Sequence, residues 1–454
     1  MRLNRSTRLA CSLALALVLV ATTAVAQDAP AGADGVFPYP HHSEVLDNGL
    51  QVLVIPMKSG GLVAYWTLVR TGSRDEFEDG RTGFAHFFEH MMFRGTEKYP
   101  ADVYNEKITS IGADANAFTT DDLTAYHLNI AAEDLELVME LESDRFMNLS
   151  YAEEVFQTEA GAVYGEYRKN RANPFFTLSE GLYETAFDEH TYRHTTMGFV
   201  EDIQRMPTLF DHSRDFFSRY YRPDNSILVI VGDVDPAQTV ELAKTYYGKW
   251  ESGYQTPDIT PEPEQDGERR TTVKYEGRTL PLVWIAYKFP AFDPTDRTIV
   301  ASDVLCDLAF GETSDLNKKL VLGEQVVDFI NCGTSMSRDP KTTNVIARVK
   351  DPAKIDYVIE QIDATFATFQ ETPPAAEQVD ALRKRLRYGF LMGLDTPDNV
   401  AGALFRILAV TTDLGSVDQY YQTLSAVTPD DVREAARSYF VPERRTVALL
   451  EGDQ

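Results

Sequence analysis

The chain has 454 residues, a formal charge of −27, 43% apolar and 11% aromatic residues. That length allows about two to four domains at roughly 150 residues each, and the composition is that of a folded chain, which excludes a disordered one. The excess of acid makes nucleic acid and anionic membrane surfaces poor partners.

The opening stretch, MRLNRSTRLACSLALALVLVATTAVAQ, places Arg2, Arg5 and Arg8 before an apolar run that ends in Ala24-Val25-Ala26. This is the pattern of a secretory signal with an A-x-A cleavage site, so residues 1–26 are expected to be removed and the mature protein to be periplasmic or secreted. The apolar run is shorter than the roughly 20 residues of a membrane span. No later stretch replaces it, so no membrane anchor is expected after the signal is removed. Cys11 leaves with the signal. Cys306 and Cys332 remain, able to pair in an oxidising compartment or to stay as buried thiols. They are too few for a cysteine-based zinc cluster.

VLDNGLQVLVI carries Asn48-Gly49 between apolar runs and predicts a β-hairpin. Further on, HFFEH (86–90) lies in a predicted helix that starts at about Gly83, with Thr82 placed to cap it. At about 100° per residue, Phe84, Phe87, Phe88 and Met91 fall on one side. His86, Glu89 and His90 fall on the other, with Phe93 beneath them. Two imidazoles one turn apart can reach a single Zn²⁺ at about 2.0–2.1 Å. Glu89 points into the same space, close enough to serve a water.

A hydrolytic zinc site needs three protein ligands and one open position. The stretch EEVFQTEAGAVYGEYRKNRANP supplies Glu159 and Glu166, seven apart and therefore on one helical face. Spacing alone leaves the two evenly matched as the third ligand. Ala160, Gly161, Ala162 and Gly165 are small enough to let this helix approach the histidine helix closely. Glu153 and Glu154 read as charges at a helix N-terminus. EDLELVMELESDRFMN and VELAKTYYGKW are further amphipathic helices. All eight histidines lie between His41 and His212, so the rest of the chain cannot build an imidazole site.

The chain also repeats itself. FFSRYYRPDNSILVIVGDVD (216–235) is echoed by ARSYFVPERRTVALLEGD (436–453), each a helix end, a proline turn, a strand and a Gly-Asp. VAYWTLVRTGSRDEFEDGRTGFAHFFEHMMFRG has its counterpart in LVWIAYKFPAFDPTDRTIVASDVLCDLAFGE. The expected organisation is a signal at 1–26, a first half at 27–255, a Pro- and acid-rich linker at 256–270 and a second half at 271–454. The expected fold class is α+β: two similar halves, each a mostly antiparallel sheet packed against helices, a duplicated α/β roll.

HxxEH is the reverse of the zincin motif and marks the inverzincins. With the acidic helix behind it and the duplicated halves, the chain resembles the pitrilysin family of zinc metallopeptidases, closest in layout to the mitochondrial processing peptidase type. The resemblance spans essentially all of the mature chain. It implies one Zn²⁺ per chain held by His86, His90 and Glu166, the last standing 76 residues beyond His90. It implies Glu89 as general base and Glu159 as an acid that steadies a ligand. GADANAFTTDDLTAYHL resembles the family's edge strand, which takes an extended peptide as an added strand. Asn116 would hold a substrate carbonyl, with Ala117, Phe118 and Thr119 pairing through their backbone. Asn116 also reads as a turn residue before an ordinary strand. HTYRH (190–194) reads as a loop near the substrate channel, without a metal of its own.

One feature departs from the family. Its complete active sites carry an Arg and a Tyr seven apart that hold the substrate and polarise the scissile carbonyl. Here KLVLGEQVVDFINC puts Val321 and Asp328 in those places, and Tyr388 is preceded seven residues earlier by Ala381. The resemblance therefore implies an exported zinc metalloendopeptidase acting on peptides or unfolded polypeptides, as the zinc subunit of a heterodimer whose homologous partner supplies the Arg/Tyr pair. The alternatives are a homodimeric peptidase with a divergent oxyanion device and a non-catalytic assembly subunit that retains zinc.

Overall fold

A computed structural model describes residues 27–29 and 35–453, and the signal expected at 1–26 lies outside them. The Asn48-Gly49 turn forms: Gly49 sits at φ +92°, where a side chain would be strained. It joins β2 (His41–Val45) to β3 (Gln51–Pro56) in antiparallel register, with β1 (Gln27–Ala29) added outside β2.

β4 (Leu62–Val69), β5 (Asp114–Thr119), β6 (Thr124–Ala131) and β7 (Ser226–Gly232) complete a seven-stranded sheet in the order β1-β2-β3-β7-β4-β6-β5. β8 (Arg269–Arg278), β9 (Leu282–Phe289), β10 (Val327–Gly333), β11 (Lys341–Val349) and β12 (Arg445–Asp453) form a second sheet. Read from β8, its order is β8-β12-β9-β11-β10, which repeats β3-β7-β4-β6-β5 strand for strand. In each sheet the last strand of the half pairs in parallel with one neighbour, β7 with β3 and β12 with β8, and the other pairings are antiparallel. The echoed segments are the helix–turn–strand units that end in β7 and β12. SILVIVG is buried along its whole length because it is central and covered on both faces. The predicted α+β duplication is what the chain adopts.

Five helices shape the region around His86 and His90 and the junction of the halves: α1 (Phe84–Met91), α2 (Glu153–Asn170), α3 (Pro174–Ala186), α4 (Arg297–Phe310) and α5 (Pro397–Thr411). Strand alternation divides each sheet into two faces. Val52, Val54, Val63 and Tyr65 pack on the phenylalanines of α1, while Leu53, Ile55, Ala64 and Trp66 face the other way. That second face is covered by Val400, Leu404 and Leu408 of α5, from the second half. Conversely, Leu282, Ala286, Ala448 and Leu450 of the second sheet pack on Leu178 and Leu182 of α3, from the first. The halves thus trade a helix, and a cut at the linker would leave one face of each sheet bare.

The predicted linker is also fastened. Residues 251–268 hold no helix or strand. Within them, Glu262 accepts the backbone N–H groups of Asp188, Glu189 and His190 at 3.0–3.1 Å and pairs with Lys288 Nζ at 2.9 Å. Cys306 and Cys332, left open by the sequence, form a disulfide between α4 and β10. Among the described residues no single helix is long and apolar enough to cross a membrane.

Candidate metal centre

α1 begins differently from the sequence expectation. Thr82 does not cap it; its hydroxyl donates to Asp202 and accepts from the Phe199 N–H. Gly83 takes the N-cap position at φ +91°, where a Cβ would meet the carbonyl oxygen of Met197 at 2.6 Å. The first N–H groups of this helix are buried, so water cannot satisfy them. Glu76, 5% exposed, satisfies them instead, accepting from Gly83 N at 2.7 Å and Ala85 N at 2.6 Å. Replacing Glu76 by Ala orphans two buried donors and is expected to cost about 2–5 kcal/mol, measured as a lowered urea midpoint with an unchanged slope. At the other end, the Tyr126 hydroxyl donates to Phe88 O at 3.1 Å.

With Phe84, Phe87, Phe88 and Met91 fully buried, the opposite face of α1 presents His86, Glu89 and His90 toward α2. Glu166 Oε2 lies 3.2 Å from His90 Nε2 and 3.7 Å from His86 Nε2. Bonds of 2.0–2.1 Å from a tetrahedral cation put ligand atoms about 3.3 Å apart, so these separations fit one zinc ion. Among the described residues His86, His90 and Glu166 are the group whose ligand atoms lie within 4.8 Å of one another. Glu159 goes elsewhere. Its carboxylate meets His90 Nδ1 at 2.9 Å, on the far side of the ring, and pairs with Arg94 through its other oxygen. Geometry thereby separates the two acids that spacing left equal.

The small residues of α2 act differently from the expectation. Ala160 is buried, but a Cβ at Gly161 or Gly165 would meet nothing within 4 Å. Phe156, Ala160, Val163 and Tyr167 form the inward stripe at helical spacing, which leaves the glycines on the open side.

Charge is tuned by these surroundings. Burial, with the neighbouring His90 adding to it, lowers His86 to about 4, which keeps it neutral, with one ring nitrogen free to accept, at neutral pH. The hydrogen bond that His90 Nδ1–H donates to the Glu159 carboxylate raises His90. Burial would raise Glu159, but its bond to His90 and the Arg94 charge outweigh it, so it is lowered. Burial raises Glu89.

β5 is the edge strand beside this site and pairs with β6 alone. Asn116, read as a carbonyl holder, turns its Oδ1 onto the neighbouring Ala117 N–H at 2.9 Å. Ala117 and Phe118 continue the strand. Thr119, expected to act through its backbone, donates its hydroxyl to Glu89 Oε2 at 2.6 Å. Sequence reasoning missed this role. The available signal was that a hydroxyl stood on the strand read as lying beside Glu89. In HTYRH, read as a loop near the substrate channel, His190 and His194 are buried, and His190 Nε2 meets Asp339 of the second half at 3.1 Å. The segment lies at the junction of the halves. Val321 falls in an irregular helical turn, Lys318–Gly323, and Asp328 on β10 lies 3.6 Å from Lys350.

Comparison with known proteins agrees with this layout. Residues 52–199 match the family described as insulinase (peptidase family M16), and residues 210–386 match the peptidase M16 inactive domain. The zinc protease PqqE of Helicobacter pylori is 30% identical over 417 residues, covering 90% of this chain and 93% of that protein. A crystal structure of a protease from Helicobacter pylori superposes with a TM-score of 0.85 at 29% identity, covering 91% of this chain and all of that one. The periplasmic protease PqqL of Escherichia coli superposes at 0.73 with 19% identity, covering 94% of this chain but 48% of that one. The chain belongs to peptidase family M16, the pitrilysin-like family of zinc metallopeptidases.

Proposed function

We propose that this chain is an exported zinc metalloendopeptidase acting on peptides or unfolded polypeptides, and that it works with a second unit of the same fold. The observation that carries the reading is the convergence of His86, His90 and Glu166, with Glu89 outside the ligand set and held by Thr119. A zinc ion held by those three supplies Lewis acidity and an acidified water.

The chain's own groups do the rest. Glu159 accepts the Nδ1–H of His90 and so directs Nε2 to the ligand position. Glu89, raised by burial, takes a proton from the attacking water and returns it to the leaving amine. The Thr119 hydroxyl fixes which carboxylate oxygen faces the water. β5, unpaired on its outer side, accepts an extended peptide as an added strand, with Asn116 to Thr119 along its edge. A zinc of purely structural purpose needs no carboxylate held clear of its ligands.

No Arg-Tyr pair stands at 321 and 328, so the group that holds the scissile carbonyl comes from another unit. The match to PqqL, which takes up about half of that chain, supports pairing of two such units. The test measures cleavage of fluorescein-labelled casein by the zinc-loaded mature chain, alone and mixed with a homologous Arg/Tyr-bearing subunit. A rate that rises at least tenfold on mixing supports the heterodimer. Full activity of the isolated chain overturns it in favour of a homodimer, and no cleavage in either sample, with zinc retained, favours an assembly subunit.

A further inference from the structure

The repeated sheets carry equivalent hairpins, β5–β6 and β10–β11, and these meet tip to tip. On the first tip are Asp121 and Asp122; on the second are Arg338 and Asp339, followed by Lys341 at the start of β11. Lys341 Nζ is ion-paired with Asp121, and lies 5.0 Å and 5.3 Å from the ring centroids of Tyr192 and Tyr183. The other oxygen of Asp121 accepts from Ser73 Oγ at 3.0 Å. Asp122 accepts the Arg338 N–H at 3.2 Å and the Tyr192 hydroxyl at 2.7 Å. Beneath the tip, a Cβ on Gly72 would collide with the carbonyls of Thr120 and Asp121. The tip is therefore wedged from both sides.

A partly buried ion pair such as this one, 12% and 27% exposed at its two ends, is poor evidence for stability. Its use is more often to specify one arrangement, and the arrangement at stake here is close by. β5 has a neighbour on one side only, so pairing alone determines its lateral position weakly. Asp121 follows Thr119 by two residues, and Thr119 holds Glu89.

We propose that Lys341, in the half without metal ligands, is a positioning residue for the reaction: through Asp121 it anchors the β5–β6 tip and so keeps the Thr119 hydroxyl on Glu89. This rests on the reading of Glu89 as the base. It assigns the second half a task in catalysis beyond covering the first sheet.

The test is a double-mutant cycle on the assembled, zinc-loaded enzyme with fluorescein-labelled casein: wild type, Lys341→Met, Thr119→Val and the pair. Each single variant is expected to lower kcat about tenfold, the size of one lost hydrogen bond to an ionised group. KM and zinc content should stay within about twofold. The pair is expected to be no slower than Thr119→Val alone, because both act through one contact. Lys341→Arg is expected to restore most of the rate. Effects that multiply in the pair overturn the proposal, as does an unchanged kcat in Lys341→Met. Should Lys341→Met not accumulate folded, Asp121→Asn neutralises the other end and enters the same cycle with the same two outcomes. Glu89→Gln, assayed alongside, separates the two readings. If it turns over normally, the base assignment has failed. If it is inactive while the pair multiplies, only the tip contact has.

Discussion

Glu89→Gln is expected to bind zinc as the wild type does and to lose turnover, with kcat down by about 10³-fold. Glutamine keeps the size of the side chain and an oxygen for the Thr119 hydroxyl, which now sits 2.6 Å from Glu89 Oε2. What it removes is a group able to accept a proton. The loss should therefore appear in kcat while peptide affinity and metal content stay near wild type. Glu89 lies between His86 and His90 in sequence but is aimed at Thr119, so metal content serves as an internal control for misfolding. A variant that retains its zinc and cleaves casein at the wild-type rate would remove Glu89 from the mechanism.

The second large effect separates the two acids of α2. Glu166→Gln is expected to lose stoichiometric zinc on dialysis, because its carboxylate is the one that faces both imidazole Nε2 atoms, at 3.2 and 3.7 Å. Glu159→Gln is expected to keep the metal with an affinity weakened about 10- to 100-fold, the usual cost of losing a group that orients a ligand. Glu159 acts on His90 Nδ1, and in its absence that ring loses its preferred tautomer and Arg94 its partner. Competition with a chromophoric chelator measures both constants. If Glu159→Gln empties the site while Glu166→Gln holds zinc, the two roles are exchanged.

Much of this was legible in the chain itself. Periodicity set Phe84, Phe87, Phe88 and Met91 against His86, Glu89 and His90, because a helix turns by a constant angle and burial follows it. Asn48-Gly49 signalled its hairpin, since the turn needs a residue tolerant of positive φ. The echoes of 216–235 and 436–453 disclosed two similar halves, and the structure shows that five strands of each sheet share one order. These are local regularities, carried by residues a few positions apart or copied whole along the chain.

The rest depends on which distant residues come into contact. Nothing in the spacing of Glu159 and Glu166 tells which side of the His90 ring each reaches; the approach of α2 to α1 decides it. Thr82 looked like a cap by position, but packing gave its hydroxyl to Asp202 and left the helix end to Glu76. The exchange of α3 and α5 between the sheets, and the meeting of Lys341 with Asp121, join residues from 100 (Leu182 and Leu282) to more than 300 positions apart. Such contacts arise because each sheet must bury two apolar faces and each buried charge must find a partner. Only the folded chain can say where those needs are met.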